Sequence, residues 1–153
     1  MTGTVTGANH VGGVFGGEEG SAGAAPPNAY IRNNHFAGKM TVTGEEGTGG
    51  AIIGYMNGLS SYNVIENNYY VENCGAETGI GLVNPRVTSF DMETTVNGKL
   101  ARKMTAGQFA DTTVTKLLNE GEGSFGNWVQ SDNGYPVFGE KPVAYRLSAS
   151  GEY

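Results

Sequence analysis

Short runs of β-branched and aromatic residues, broken by Gly, Asn and Ser, fill the first half of the chain, and the runs recur. Gly12-Gly13-Val14-Phe15-Gly16-Gly17 returns as Gly50-Ala51-Ile52-Ile53-Gly54-Tyr55. Ile31-Arg32-Asn33-Asn34-His35-Phe36 returns as Ile65-Glu66-Asn67-Asn68-Tyr69-Tyr70, and Thr4-Val5-Thr6-Gly7 as Thr41-Val42-Thr43-Gly44. The offsets are 38 residues (Gly16 to Gly54), 34 (Asn33 to Asn67) and 37 (Thr4 to Thr41). A period in this range marks stacked supersecondary units. Three strands are predicted per unit: Val11–Gly16 and then Ala51–Tyr55, Ala29–Phe36 and then Asn63–Val71, and Lys39–Thr43 preceded by Thr4–Thr6. Nothing up to Val83 has the apolar spacing of a helix.

This pattern predicts an all-β fold of parallel β-solenoid (β-helix) coils, one repeat per coil. Stacking then brings equivalent residues together at the parallel strand spacing of about 4.8 Å. Successive hairpins in a sandwich are the alternative, and Asn57-Gly58 is the dipeptide such a turn needs. In the solenoid, Asn33 and Asn67 would stack as an amide ladder, and Gly12, Gly16, Gly50 and Gly54 would serve sharp corners or positive φ. Both roles are structural. The stretch from Glu18 to Pro27 is longer than its counterpart from Met56 to Ser61 and reads as an insertion leaving the stack at a corner.

The pattern changes after Val83, where Asn84-Pro85 breaks the strand. Phe90, Met92, Val96 and Leu100 are the apolar anchors of the next stretch. Thr105-Ala106-Gly107-Gln108 is a capping box, with Thr105 as N-cap and Gln108 three residues on. Phe109, Val114, Leu117 and Leu118 supply an apolar face, Asp111-Thr112-Thr113 allows a second short helix, and Gly121 can end it. Trp128-Val129-Gln130 and Tyr135-Pro136-Val137-Phe138 flank a Ser131-Asp132-Asn133-Gly134 turn and predict a hairpin packed on the helix. The expected organisation is solenoid repeats over 1–83, a small helix-plus-hairpin α+β cap over 84–139, and an edge strand or the start of another module over 140–153. The cap aromatics are expected to close the open end of the solenoid, with Trp128 and Phe138 inside the cap core.

Composition narrows the setting. The 153 residues include 26 Gly, yet 38% are apolar, so a core can form without a collagen-like Gly period. Only 16% are charged, which leaves Asn, Ser, Thr and Gly to cover the surface and suits an extracellular repeat protein. The net charge of −6, with nine scattered Lys and Arg, argues against nucleic acid and against anionic membranes. No apolar run reaches the ~20 residues of a membrane span. Met1 starts inside a repeat block, which reads as the end of an array whose upstream repeats and any signal peptide have been cut away.

Candidate chemistry is sparse. Cys74 stands alone and reads as a buried small hydrophobe. His10 and His35 lack ligand-spaced partners, so no metal or cofactor is expected. The acid pairs Glu18-Glu19 and Glu45-Glu46 fall at different places in the repeat, so stacking assembles no catalytic carboxylate cluster and no enzyme activity is expected. Trp128, Tyr135 and Phe138 are the residues that would contact a glycan, as aromatic platforms for sugar rings.

The Gly50-to-Tyr55 block followed by Ile65-Glu66-Asn67-Asn68-Tyr69 resembles the GLUG-type repeats of bacterial cell-surface proteins. Thr78-Gly79-Ile80-Gly81-Leu82-Val83 is similar to the ending of such arrays, and residues 103–138 look like the segment that closes them. Asn68 stands where those repeats commonly carry Cys, and His35 replaces Tyr. The resemblance implies a secreted or wall-anchored surface protein of bacteria, with an adhesive or structural role. It also implies partners in neighbouring domains of a longer chain, and in host glycoprotein or glycan. An open solenoid edge would add end-to-end self-association. The expected function is a non-catalytic structural and adhesive segment. The alternatives are a carbohydrate-binding module using the cap aromatics and an accessory segment of a larger secreted hydrolase or peptidase.

Overall fold

The computed structural model describes residues 2–18, 30–56, 64–83, 100–121, 123–124 and 126–139. The Glu18-to-Pro27 insertion (beyond the Glu18 backbone), Asn57-Gly58, the Asn84-to-Val96 anchors and the 140–153 strand lie outside these residues.

Strands dominate, and the strands of successive repeats pair in parallel. Strands β3 (Phe15–Glu18), β8 (Ile53–Met56) and β11 (Ile80–Val83) form one three-stranded sheet, with Phe15, Ile53 and Ile80 in register. Strands β5 (His35–Phe36), β10 (Tyr69–Val71) and β12 (Arg102–Met104) form a second, with His35, Tyr69 and Arg102 in register. Three parallel pairs complete the repeats: β1 (Thr4–Gly7) with β6 (Lys39–Val42), β2 (Val11–Gly12) with β7 (Gly49–Gly50), and β4 (Tyr30–Arg32) with β9 (Val64–Glu66). Arg102–Met104 thus continues a repeat sheet beyond residue 83, from within the stretch expected to belong to the cap.

The predicted strands are too long, and two kinds of corner cut them. Ala29–Phe36 divides into β4 and β5 at Asn33, and Asn63–Val71 divides into β9 and β10 at Asn67. Asn33 and Asn67 adopt φ of 57° and 52°, the left-handed region where a strand cannot continue. The other cut falls between β2 and β3 and between β7 and β8. There the backbone N–H groups of Val14 and Phe15 donate to Ile52 O, and those of Ile52 and Ile53 donate to Gly79 O. The bends are therefore hydrogen-bonded to the next repeat just as the strands are.

The glycines at these bends supply space rather than positive φ. Positive φ among the described glycines belongs to Gly75, Gly123, Gly126 and Gly134, so that part of the expectation for Gly12, Gly16, Gly50 and Gly54 is corrected. A Cβ on Gly12 would lie 1.9 Å from Phe15 O, and one on Gly50 would lie 2.1 Å from Ile53 O. A side chain at either position would drive the two arms of the bend apart.

Alternation sorts the side chains into two cores. Phe36, Tyr70, Ile53, Met56, Ile80 and Cys74 point between the sheets and are almost fully buried. Tyr69 and Met104 face the other way and pack on Phe109, Val114 and Leu118. These come from two short helices, α1 (Ala106–Ala110) and α2 (Thr113–Glu120). Thr105 caps α1 with the full reciprocal box: Gln108 N–H donates to Thr105 Oγ1 at 3.2 Å, and Thr105 N–H to Gln108 Oε1 at 2.9 Å. A Thr112 in the left-handed region separates the helices, and Asp111 Oδ1 accepts from Thr113 N–H at 3.0 Å.

Strands β13 (Trp128–Gln130) and β14 (Pro136–Phe138) form the antiparallel hairpin, closed by a turn with Gly134 at φ 77°. Thr115 Oγ1 donates to Gln130 Oε1 at 2.5 Å, and Gln130 Nε2 donates to Phe109 O at 2.8 Å, which fixes the hairpin on both helices. Together the helices and hairpin cover the outer face of the β5–β10–β12 sheet and touch residues of all three strands. They lie along the side of the repeats instead of closing an end, because the outward face of His35, Tyr69 and Met104 is itself apolar and must be buried.

Candidate functional site

Two amide ladders run through the Asn corners. Asn67 Nδ2 donates to Asn33 Oδ1 at 2.6 Å and to Leu117 O at 3.1 Å, and Tyr69 Oη donates to Asn67 Oδ1. The second ladder lies deeper. Asn34 Nδ2 and N–H donate to Asn68 Oδ1 at 3.0 and 3.2 Å, while Asn68 Nδ2 donates to Ile31 O at 2.7 Å and Leu100 O at 3.0 Å. Asn68 is fully buried, so it satisfies main-chain carbonyls of the repeats on both sides. The sequence reading placed a ladder at Asn33 and Asn67 and missed this one. The doubled Asn in both repeats was the available signal.

A cleft opens beside the outer ladder, whose Asn33 borders it. Its walls are Arg32, Asn33 and Asn34 on the repeat side, and Gly123, Ser124, Asn127, Trp128 and Phe138 on the other, enclosing about 290 Å³. The chain's single tryptophan is held firmly. Asn119 Nδ2 donates to Trp128 O at 2.8 Å, and Trp128 N–H donates to Asn119 Oδ1 at 2.9 Å. Phe138 stacks on the indole at 4.1 Å with 27° between the planes, and the His35 ring meets it edge-on at 5.3 Å. Phe138 is 70% exposed, so the expectation that it fills the cap core is corrected: it shares a face with buried Pro136 and lays one side on Trp128, but at the end of β14 its other side is left to solvent. Trp128 is half-buried. A smaller hollow of about 270 Å³, lined by Thr2, His35, Trp128, Pro136, Val137 and Phe138, adjoins the same aromatic pair.

His35 is buried between Phe109 and Trp128. Burial depresses its pKa to about 4, and a hydrogen bond to the Pro136 backbone only partly offsets this. The imidazole is therefore neutral at physiological pH and acts as an aromatic filler. Tyr135 packs against Phe109 at 6.2 Å and does not line the cleft, so of the three aromatics singled out from the sequence only Trp128 and Phe138 meet there. Gly12 and Gly50 lie at the β2–β3 and β7–β8 bends, whereas Gly16 and Gly54 lie inside β3 and β8 and form no corner; none lines the cleft, and Thr105 and Gln108 lie at the start of α1.

Arg32, Asn34 and Asn127 were not singled out from sequence. For Arg32 a signal existed: it occupies the position of Glu66 in an otherwise matching block. His10 stacks on Tyr55 at 4.4 Å and shares a 3.1 Å hydrogen bond with Thr48 Oγ1, a structural arrangement across repeats. No group of three or more His, Cys, Asp or Glu suited to a metal ion occurs among the described residues. No described helix is long and apolar enough to cross a membrane.

Comparison of the chain with family models, with curated proteins and with solved structures gives no match.

Proposed function

We propose that the repeats form a parallel β-solenoid. We further propose that the chain serves as a non-catalytic structural and adhesive segment of a secreted or wall-anchored bacterial surface protein. The observation that carries this reading is the register: Phe15, Ile53 and Ile80, and likewise His35, Tyr69 and Arg102, lie side by side on parallel strands of successive repeats. A stack of this kind resists tension, because load on either end is shared by many backbone hydrogen bonds at once. The sparse charge of the sequence and its resemblance to GLUG-type surface repeats support the extracellular setting. Neighbouring modules of a longer chain would be its partners. Pulling single molecules between residues 2 and 139 tests the mechanical role. One cooperative rupture is expected, and gradual extension at low force would refute it.

A second reading, carbohydrate binding, is favoured by one observation: Phe138 is exposed beside a rigidly held Trp128 at a formed cleft. A mucin and glycan array probed with the chain, with Trp128→Ala alongside, tests it. Specific signal lost in the variant is expected, and a blank array on folded protein counts against it.

A further inference from the structure

We propose that the cleft between the Arg32 corner and the Trp128–Phe138 wall binds one carboxylate-bearing sugar residue, a uronic or sialic acid. The carboxylate sits on Arg32 and the ring sits against Phe138. This rests on the carbohydrate reading above and narrows its ligand.

Size sets the first limit. A volume of about 290 Å³ lies at the small end of ligand sites, which run from about 300 to 1,000 Å³, so it suits one pyranose rather than a chain of them. Charge sets the second. Among the described residues, Arg32 is the one charged side chain lining the cleft; Glu66, its register partner on β9, does not line it. A guanidinium offers a planar fork of donors that matches a carboxylate with two parallel hydrogen bonds. The loop approaches the guanidinium closely: a Cβ on Gly123, at φ 66°, would lie 2.4 Å from Arg32 Nη2.

The remaining walls fit the rest of a sugar. Ser124 and Asn127 offer polar groups to hydroxyls, and the exposed Phe138 ring offers a π face to the apolar C–H side of a pyranose. Asn119 clamps the Trp128 backbone from both directions, so the aromatic wall is set before any ligand arrives. The net charge of −6 gives no long-range attraction for a polyanion. A single local carboxylate therefore fits better than a heavily sulfated polymer.

Trp128 is the only tryptophan, so intrinsic fluorescence of the full chain reads this cleft directly. The probes are glucuronate, N-acetylneuraminate, methyl glucoside, a sulfated glucose and plain acetate. Saturable change with at least one acidic sugar is expected, at a Kd about ten-fold or more below that of the neutral sugar. The better of the two acids identifies the source. Arg32→Gln should erase the preference, Arg32→Lys should restore part of it, and Phe138→Ala should weaken all sugars, with circular dichroism confirming that each variant folds. If methyl glucoside binds as tightly as the acids, the carboxylate inference is overturned and the carbohydrate reading stands. If acetate or the sulfated sugar matches the acids, the site is an unselective anion pocket and the inference fails. If no sugar changes the fluorescence, both fail.

Discussion

Asn68 carries a concentrated polar duty among the described residues. It is fully buried, and its amide satisfies carbonyls of two other repeats together with the Asn34 amide. Asn68→Ala should destabilise the chain by about 2–3 kcal/mol, because buried carbonyls then lose their donors. Urea unfolding would register this as a lower midpoint. An unchanged midpoint would show that water replaces the amide. His35 adds a pH term of definite sign. Its folded pKa of about 4 lies below the ordinary 6.5, so between these values the unfolded chain binds a proton that the native one refuses. Stability should fall as pH drops from about 6.5 towards 4, by at most about 3 kcal/mol, and level off below that. His35→Phe should flatten this segment of a stability-against-pH curve, and a wild-type slope in the variant would assign the effect to other groups.

At the scale of elements, the helix pair depends on its first cap and on the C-cap residue Gly121 after α2. Thr105→Ala removes the reciprocal box and should cost about 1 kcal/mol. Gly121→Ala should act differently. A Cβ there would fall 1.9 Å from Asn67 Nδ2 and 2.1 Å from Asn33 Oδ1, so the end of α2 would be pushed off the outer ladder. Hydrogen exchange should then rise in α2 with the repeat strands still protected; uniform loss of protection would mean that cap and repeats unfold as one unit. The capping box was legible because both of its bonds join residues three apart in sequence. Strand lengths were less legible. Asn is compatible with extended and left-handed backbone alike, so nothing local in Ile31-Arg32-Asn33-Asn34-His35 distinguishes a straight strand from a corner. The cleft was half legible. Trp128 and Phe138 stood out as aromatics, but their exposure depends on which face of the hairpin meets a sheet drawn from far earlier in the chain, and Arg32 arrives from β4, in the neighbouring β4–β9 pair.

Taken whole, the molecule has two cores that share one sheet. Tyr70 and Phe36 belong to the inner core, and Tyr69 and Met104 to the outer, so β10 is apolar on both faces, and β5 and β12 each turn a buried side chain, His35 and Met104, towards the cover. Such a sheet cannot stand without its cover. A chain ending at Met104 should expose His35, Tyr69 and Met104 together and associate through them. Size-exclusion chromatography would then report oligomers or aggregates. A clean monomer with unchanged melting would show that the repeats do not need the helices. The all-β character was legible from the recurring blocks. The lateral position of the helices was not, because the period of a repeat says which residues stack and leaves open which flank is left bare.

The registers also differ in length in a telling way. Phe15 pairs with Ile53 at a separation of 38 residues, and Tyr30 pairs with Val64 at 34, although both pairs join the same two repeats. Four residues are therefore absorbed between β3 and β4 without disturbing a single strand partner. That connection is therefore the place where a grafted peptide should be accepted, because β3 with β8 and β4 with β9 keep their partners across the difference in length.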